Sequence, residues 1–243
     1  MVAVVDDLLN SLSVDAPVRF VWVGVHWTVV GSHRCGMAAS LMASHLHGEP
    51  QVRQAGQLIT QSARELAELV RSDRPLEASI GLAAINSLLD MDVSQATEEN
   101  AVEVLLNRGR DKNVALVGRF AFAPQVRRVA RRLWVLELQP AADEYPAEAA
   151  PDLLPQADVI AITASTLINH TLDGLLALCP PRATVMLIGP STPFSPVLFD
   201  HGVDILSGAR VVDEQAVLRT VGEGATFHQV QGVRLLTLQK DRA

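Results

Sequence analysis

Two short loops rich in hydroxyl side chains carry most of the chemical potential of this sequence. Thr163, Ser165 and Thr166 follow an apolar segment that predicts a strand, and they precede residues 167–178, whose periodicity predicts a helix. The free N–H groups at a helix N-terminus attract anions, so adjacent hydroxyls suit a phosphate or carboxylate. The alternative is structural, with Ser165 or Thr166 capping the helix.

Further polar residues extend this region. Asn169 and His170 fall in the first turn of the predicted helix. A second loop of similar character follows the next predicted strand. Its members are Gly189, Pro190, Ser191 and Thr192. Because the carboxyl ends of parallel strands share one edge of a sheet, we expect both loops to line one site.

The segment around Gly118 bears on nucleotide binding. A dinucleotide pyrophosphate needs the close backbone approach that G-x-G-x-x-G provides, and Gly118 is the single glycine after its predicted strand. Glu137 ends the next predicted strand, where a carboxylate would bind a ribose. A nucleoside or adenosyl ligand needs fewer glycines, so it fits better than a nicotinamide cofactor. Arg119 and Phe120 follow Gly118, and the Arg119 fork suits an anion.

A metal site is a separate hypothesis. His33 and Cys35, and likewise His45 and His47, are two residues apart, which puts each pair on one side of an extended segment. With His26 they form a donor set that zinc or a softer metal accepts, although the spacings match no defined site. The alternatives are solvated loop histidines, or a metal in the cleft near His170.

The chain divides into two unlike halves. Residues 1–95 predict a strand over 18–30, a returning strand over 37–44 and helices at 62–70 and from Pro75, an α+β unit. Residues 96–243 alternate apolar strands with helices, the pattern of a parallel sheet covered on both faces. This α/β pattern predicts a doubly wound, mainly parallel sheet with ligands beyond the carboxyl ends of its strands. We expect Val114, Leu136, Ile160 and Leu187 on adjacent parallel strands.

The charge and composition of the chain indicate which kinds of partner it can bind. The 243 residues carry a formal charge of -7, which disfavours nucleic acid. The basic run at 127–132 lies beside apolar residues at helical spacing and indicates a solvated helix face. Two cysteines make no disulfide framework, and we see no signal peptide and no apolar run of membrane-spanning length. These features predict a cytoplasmic protein without membrane insertion.

Several motifs resemble one family along nearly the whole chain. They are VGRFAF at 117–122, TASTLINHT at 163–171, GPSTP at 189–193 and GVDILSG at 202–208 in the second half, and GVHWT at 24–28 and GLAAIN at 81–86 in the first. In this order they are similar to the heavy-metal-chelation family. That resemblance implies an enolase-N-like domain followed by a Rossmann-like domain, with a site in the cleft between them. The chain has Arg119 and Ala121 where the family pattern leads us to expect His and Pro.

These observations together predict a small-molecule or metal ligand gripped by both halves. From the first half we expect His26 and Asn86 to take part, since an amide near a helix end is a ready bidentate partner. The favoured ligand is a small anionic metabolite or metal chelate, in a protein that could be an enzyme of metal or cofactor metabolism. The alternatives are a non-catalytic metal sensor or carrier and a nucleotide- or adenosyl-dependent enzyme. If the protein has a cofactor, we expect a transition metal ion or its chelate. A homodimer is compatible with the sequence.

Overall fold

The computed structural model describes residues 3–43, 48–90 and 95–240. The first half contains a three-stranded antiparallel sheet in the order β1-β2-β3 and three helices. The strands are β1 (Phe20–Val23), β2 (Trp27–Gly31) and β3 (Cys35–Ala39), and the helices are α1 (Ala3–Asn10), α2 (Ala63–Ala67) and α3 (Pro75–Leu88). Within the described ranges, no helix is long and apolar enough to cross a membrane.

The prediction of one strand over residues 18–30 is wrong, because the chain reverses at Gly24. The Gly24 N–H donates to the carbonyl of Trp27 at 2.8 Å and closes a tight hairpin between β1 and β2. A Cβ at Gly24 would stand 2.7 Å from Val221, so the turn packs directly on the second half. The valines on either side suit both strands equally, and their pattern therefore hides the turn.

Helix α3 is the core of the first half. Pro75 opens the helix as predicted, and the helix is buried on all sides along most of its length. Its neighbours leave no space for a methyl group at two glycines. A Cβ on Gly36 of β3 would lie 2.1 Å from the Ala83 carbonyl oxygen, and one on Gly81 would lie 2.0 Å from the backbone nitrogen of Val70.

The second half is a seven-stranded sheet in the order β10-β9-β8-β7-β4-β5-β6. The strands are β4 (Asn113–Val117), β5 (Arg132–Glu137), β6 (Tyr145–Pro146), β7 (Val159–Thr163), β8 (Thr184–Ile188), β9 (Ile205–Val211) and β10 (Val233–Gln239). The helices are α4 (Ala101–Gly109), α5 (Ala123–Val129), α6 (Ala150–Leu153), α7 (Leu172–Leu178), α8 (Val197–Asp200) and α9 (Glu214–Gly222).

The predicted mixed α/β fold with a mainly parallel sheet is confirmed. Val114, Leu136, Ile160 and Leu187 lie on the adjacent parallel strands β4, β5, β7 and β8, as expected. Strand β10 was not predicted and runs antiparallel to β9 at the sheet edge. It carries Arg234, Thr237 and Gln239 among its leucines, so it lacks the continuous apolar run that marks the central strands.

The strand order defines where a ligand crevice should form. From β4 at the centre the chain adds β5 and β6 on one side, then crosses over and adds β7, β8 and β9 on the other. This is the 3-2-1-4-5-6 order of doubly wound sheets, whose crevice lies where the order reverses. The crevice should therefore open at the carboxyl ends of β4 and β7, beside Gly118 and Thr163. The division at residue 95 into enolase-N-like and Rossmann-like domains stays a prediction.

Candidate functional site

Two cavities lie at the carboxyl ends of the parallel strands. The β8-side cavity, of about 640 Å³, is bounded by the ends of β4, β7 and β8 and by Trp27 and Ala39 of the first half. The β5-side cavity, of about 760 Å³, is bounded by the ends of β4, β5 and β7, by α7, and by Leu41. Arg119, Thr163 and Ser165 line both cavities and so stand between them.

Gly118 sets the geometry of the crevice. Its φ of +105° lies in the region that favours glycine, and a Cβ there would stand 2.8 Å from the Thr163 Cγ2. Its N–H donates to the Leu136 carbonyl at 2.9 Å. The turn after β4 therefore passes directly against the end of β7, as the strand order requires.

The hydroxyl loop after β7 is a 3-10 turn over Ala164–Leu167, and α7 begins only at Leu172. The prediction of a helix from residue 167 is therefore wrong, as is the expected capping by Ser165 or Thr166. Thr163 caps the turn instead, accepting from the Ser165 N–H at 3.4 Å, and the buried Thr166 donates to the Thr163 carbonyl at 2.7 Å. Ser165 Oγ accepts from Thr163 and can donate its own hydrogen to a ligand.

Asn169 and His170 lie in the turn that precedes α7, on the wall of the β5-side cavity. Asn169 Oδ1 accepts from the Thr171 hydroxyl at 2.7 Å, and His170 Nε2 lies 2.7 Å from the Val70 carbonyl oxygen. His170 has a φ of +61°, which no helix interior contains, and this backbone conformation separates the 3-10 turn from α7. The histidine thus joins the two halves beside the cavity.

The loop after β8 also joins the halves. Ser191 Oγ accepts from the Ala39 N–H at 2.8 Å, and Asn86 Nδ2 donates to the carbonyls of Met37 at 2.9 Å and Ser191 at 3.1 Å. Thr192 is buried and donates to the Ser207 carbonyl at 3.0 Å. Gly189, Pro190 and Ser191 line the β8-side cavity, whereas Asn86 and Thr192 lie behind it. The Asn86 amide nitrogen is thus held between two backbone carbonyls, and a contact of Asn86 with a ligand remains a prediction.

Arg119 has an intramolecular partner that the sequence did not indicate. Its guanidinium donates to both carboxylate oxygens of Glu144, at 2.8 and 2.6 Å, and to the Gln139 carbonyl at 2.9 Å. The pair fastens the loop after β5 over the crevice. Glu137 accepts from the Arg119 N–H and from the Leu138 N–H, each at 2.9 Å. Anion binding by Arg119 remains a prediction and would need its fork to leave Glu144.

The Arg119–Glu144 pair gives an expected pH dependence. The hydrogen bonds from Arg119, then that from Ala141, lower the pKa of Glu144 from its ordinary 4.5 to about 2. A depressed pKa means that the contact stabilises the fold fully above the ordinary value and is lost as the pH falls from about 4.5 towards 2. A carboxyl-carbon NMR titration should give a Glu144 midpoint near 2 in the wild type, and Arg119→Ala should move it up towards the ordinary value, with the Ala141 N–H still lowering the pKa. A wild-type midpoint near 4 would contradict the pairing.

The described members of the metal-ligand set proposed from the sequence do not converge on one point. His26 and His33 are exposed in the turns at opposite ends of β2, a separation of about 20 Å at roughly 3.4 Å per residue. Burial raises the pKa of the Cys35 thiol to about 12, and only the thiolate is a good metal ligand. His45 and His47 lie outside the described residues. Within those residues no three His, Cys, Asp or Glu side chains converge.

Four aromatic residues form a wall of the β8-side cavity. Phe120 and Phe122 stack with ring centroids 4.9 Å apart, and Trp27 of the first half lies 5.5 Å from Phe227. Of these, Phe120 alone was a candidate. Two phenylalanines within four residues after Gly118, in a chain with only 4% aromatic residues, were the available signal for this wall.

The fold and these cavities define a class of mixed α/β proteins with ligand space at the switch point of a mainly parallel sheet. Two family models, each described as "Putative heavy-metal chelation", match residues 5–89 and 100–239. The first match is to the DUF4213 model and the second is to the DUF364 model, which covers more than half of the chain. The chain therefore belongs to this heavy-metal-chelation family. The resemblance seen in the sequence is thereby confirmed.

Solved structures of other proteins share this fold. A crystal structure of a DUF364 protein of unknown function from Desulfitobacterium hafniense is 27% identical, covers 99% of both chains and has a TM-score of 0.85. A DUF364 protein from Pyrococcus horikoshii has the same fold at 20% identity and a TM-score of 0.80, over 99% of this chain and 100% of that one. An uncharacterized protein of Methanocaldococcus jannaschii is 27% identical over 173 residues, 66% of this chain, and the match spans 64% of that protein.

Proposed function

We propose that the protein binds a small anionic metal chelate, or a related anionic metabolite, in the β8-side cavity, with both halves in contact with it. The observation that carries this proposal is the combination of stacked aromatic rings and strand-end hydroxyls around one cavity. The membership in a heavy-metal-chelation family supports metal as part of the ligand.

The apolar wall suits the organic part of a chelate. Phe120 and Phe122 present stacked rings to the cavity, and Leu235 lies in the same lining. Cavities of about 300–1,000 Å³ with mostly apolar walls and a few placed polar groups are typical small-molecule sites. A planar organic chelator would bury its faces here and keep its polar atoms at the strand ends.

The polar lining suits a ligand that brings its own metal donors. Ser165 and Gln125 can hydrogen-bond to oxygen atoms of the ligand, whereas Glu99 and His228 could each supply one metal ligand. A bare transition metal ion takes four or more ligands, so a metal at this site would keep a chelator. The cavity would then recognise the chelator rather than the metal ion alone.

Calorimetric titration with a soluble planar chelate tests the proposal. The probe is the complex of zinc with two 8-hydroxyquinoline-5-sulfonate ligands, which is anionic and has planar chelating rings, compared with zinc citrate and with the metal-free chelators. We expect the planar complex to bind most tightly, and Phe120→Ala or Gln125→Ala to weaken it about tenfold, the loss of one aromatic or polar contact.

Arg182→Ala is the matched control. Arg182 is exposed before the amino end of β8, opposite the cavities, and donates to the Pro155 carbonyl at 3.1 Å. Its loss should leave affinity unchanged. Absence of binding by any zinc chelate, or equal affinity in the Phe120 and Arg182 variants, would overturn the proposal. Recovery of the bound complex unchanged after incubation would favour the alternative of a non-catalytic sensor or carrier.

A further inference from the structure

We propose that the β5-side cavity is a separate binding site for a nucleoside. The Glu137 carboxylate there accepts hydrogen bonds from both hydroxyls of the ribose. This inference does not rest on the function proposed for the β8-side cavity, although Arg119, Thr163 and Ser165 line both cavities. Three features of the molecule support a nucleoside here: the position of the cavity in the sheet, the anchoring of Glu137, and the hydrogen bonds of the nearby backbone N–H groups.

The cavity lies over the carboxyl ends of β4 and β5 on one side and of β7 on the other, at the reversal of strand order. In doubly wound sheets the acidic residue that binds ribose ends the strand next to the central one. Glu137 is the last residue of β5, which pairs with the central β4, and it lines this cavity.

Glu137 is anchored as a diol acceptor would be. One carboxylate oxygen accepts from the Arg119 N–H and the other from the Leu138 N–H, each at 2.9 Å. An ionised carboxylate has about four acceptor sites, so two remain, one on each oxygen. Two backbone donors therefore fix the plane of the carboxylate, and two vicinal hydroxyls can complete its hydrogen bonding.

The backbone of the turn after β4 favours a nucleoside over a dinucleotide as the ligand. A pyrophosphate needs free N–H groups there. The first two N–H groups of the turn, those of Gly118 and Arg119, instead donate to the Leu136 carbonyl and to Glu137. The start of the turn thus holds the ribose-binding carboxylate in place and leaves neither of these two N–H groups for a phosphate.

The rest of the cavity suits a base. Leu138, Pro151, Leu175 and Leu178 contribute apolar surface, and Asn169 adds an amide group for the polar edge. The volume of about 760 Å³ is within the range of small-molecule sites and exceeds the needs of a nucleoside.

The test is calorimetric titration of the full chain with adenosine, guanosine, cytidine and uridine, followed by the 2′-deoxy and 3′-deoxy forms of the tightest binder. We expect one ribonucleoside to bind and each deoxy form to bind about 10- to 100-fold more weakly, since each lacks one hydrogen bond to a carboxylate. NAD should bind no more tightly than adenosine. The deoxy series needs no mutation, so it is independent of folding.

Glu137→Gln should reduce ribonucleoside affinity to the level of the deoxy forms, with a melting temperature that shows the fold intact. Glu148→Gln is the matched control, because Glu148 is exposed on the same cavity and the charge change is equal. It should retain the preference for ribose. Failure of all four ribonucleosides to bind at millimolar concentration, or equal affinity for ribose and deoxyribose forms, would overturn the inference. Loss of chelate binding in the β8-side cavity would have no bearing on either result.

Discussion

Gly81→Ala should destabilise the protein by about 3 kcal/mol or more, at the upper end of overpacking effects in protein cores. The new Cβ would stand 2.0 Å from the backbone nitrogen of Val70 and 2.6 Å from the Leu69 carbonyl carbon, so no side-chain rotation relieves the clash. Helix α3 would have to move from the 3-10 turn Glu68–Arg71, and the opposite face of α3 already touches Gly36. Urea unfolding followed by circular dichroism measures the change.

Gly174→Ala is the control for that measurement. Gly174 also lies inside a helix, α7, but a Cβ there would meet nothing within 4 Å. The alanine should stabilise the protein by about 0.5–1 kcal/mol, because it restricts the unfolded chain and favours the helix. Equal free energies of unfolding for the two variants would show that α3 has more space than its contacts indicate.

Gly118→Ala should weaken chelate binding at least about tenfold, while the protein stays folded. A residue with a side chain pays roughly 1–3 kcal/mol of strain at such a backbone conformation. Its Cβ, 2.8 Å from the Thr163 Cγ2, would also push Thr163, which lines both cavities. The turn bearing Arg119 and Phe120 would shift with it. Titration with the zinc complex of 8-hydroxyquinoline-5-sulfonate provides the readout.

Gly202→Ala is the control that distinguishes the backbone strain of an alanine at positive φ from the displacement of Thr163 at the site. Gly202 has a φ of +90° and open space around its Cβ position, and it precedes β9 at the amino end of that strand. The variant should lose stability by a similar amount and bind the chelate normally. A similar loss of affinity in both variants would show that general destabilisation, rather than the contact between Gly118 and Thr163, explains the effect.

The sheet and one edge of the site could be predicted because they follow from local pattern. Continuous apolar runs around Val114, Ile160 and Leu187 indicated strands buried on both faces, and polar residues directly after such strands must gather at one edge. Gly118 and Thr163 were selected for that reason. They do lie together at the crevice.

The remaining features depend on contacts between distant parts of the chain. Asn86 and Ser191 meet across 105 positions, and Arg119 meets Glu144 in a loop with no periodicity. The start of α7 at Leu172 depends on the conformation of His170, which also contacts Val70 of the first half. None of these pairings leaves a local pattern in the sequence, so the intramolecular partners of Asn86 and Arg119 could not be predicted.

Hydrogen exchange on the protein with and without the zinc complex of 8-hydroxyquinoline-5-sulfonate tests most directly whether both halves hold the ligand. The β8-side cavity contains Trp27 and Ala39 from the first half and Phe120 and Ser191 from the second. The account predicts slower exchange on binding in peptides from both halves, around residues 27–39 and around 118–122 and 189–191. Protection confined to residues after 110 would contradict it and would make the first half a structural partner only.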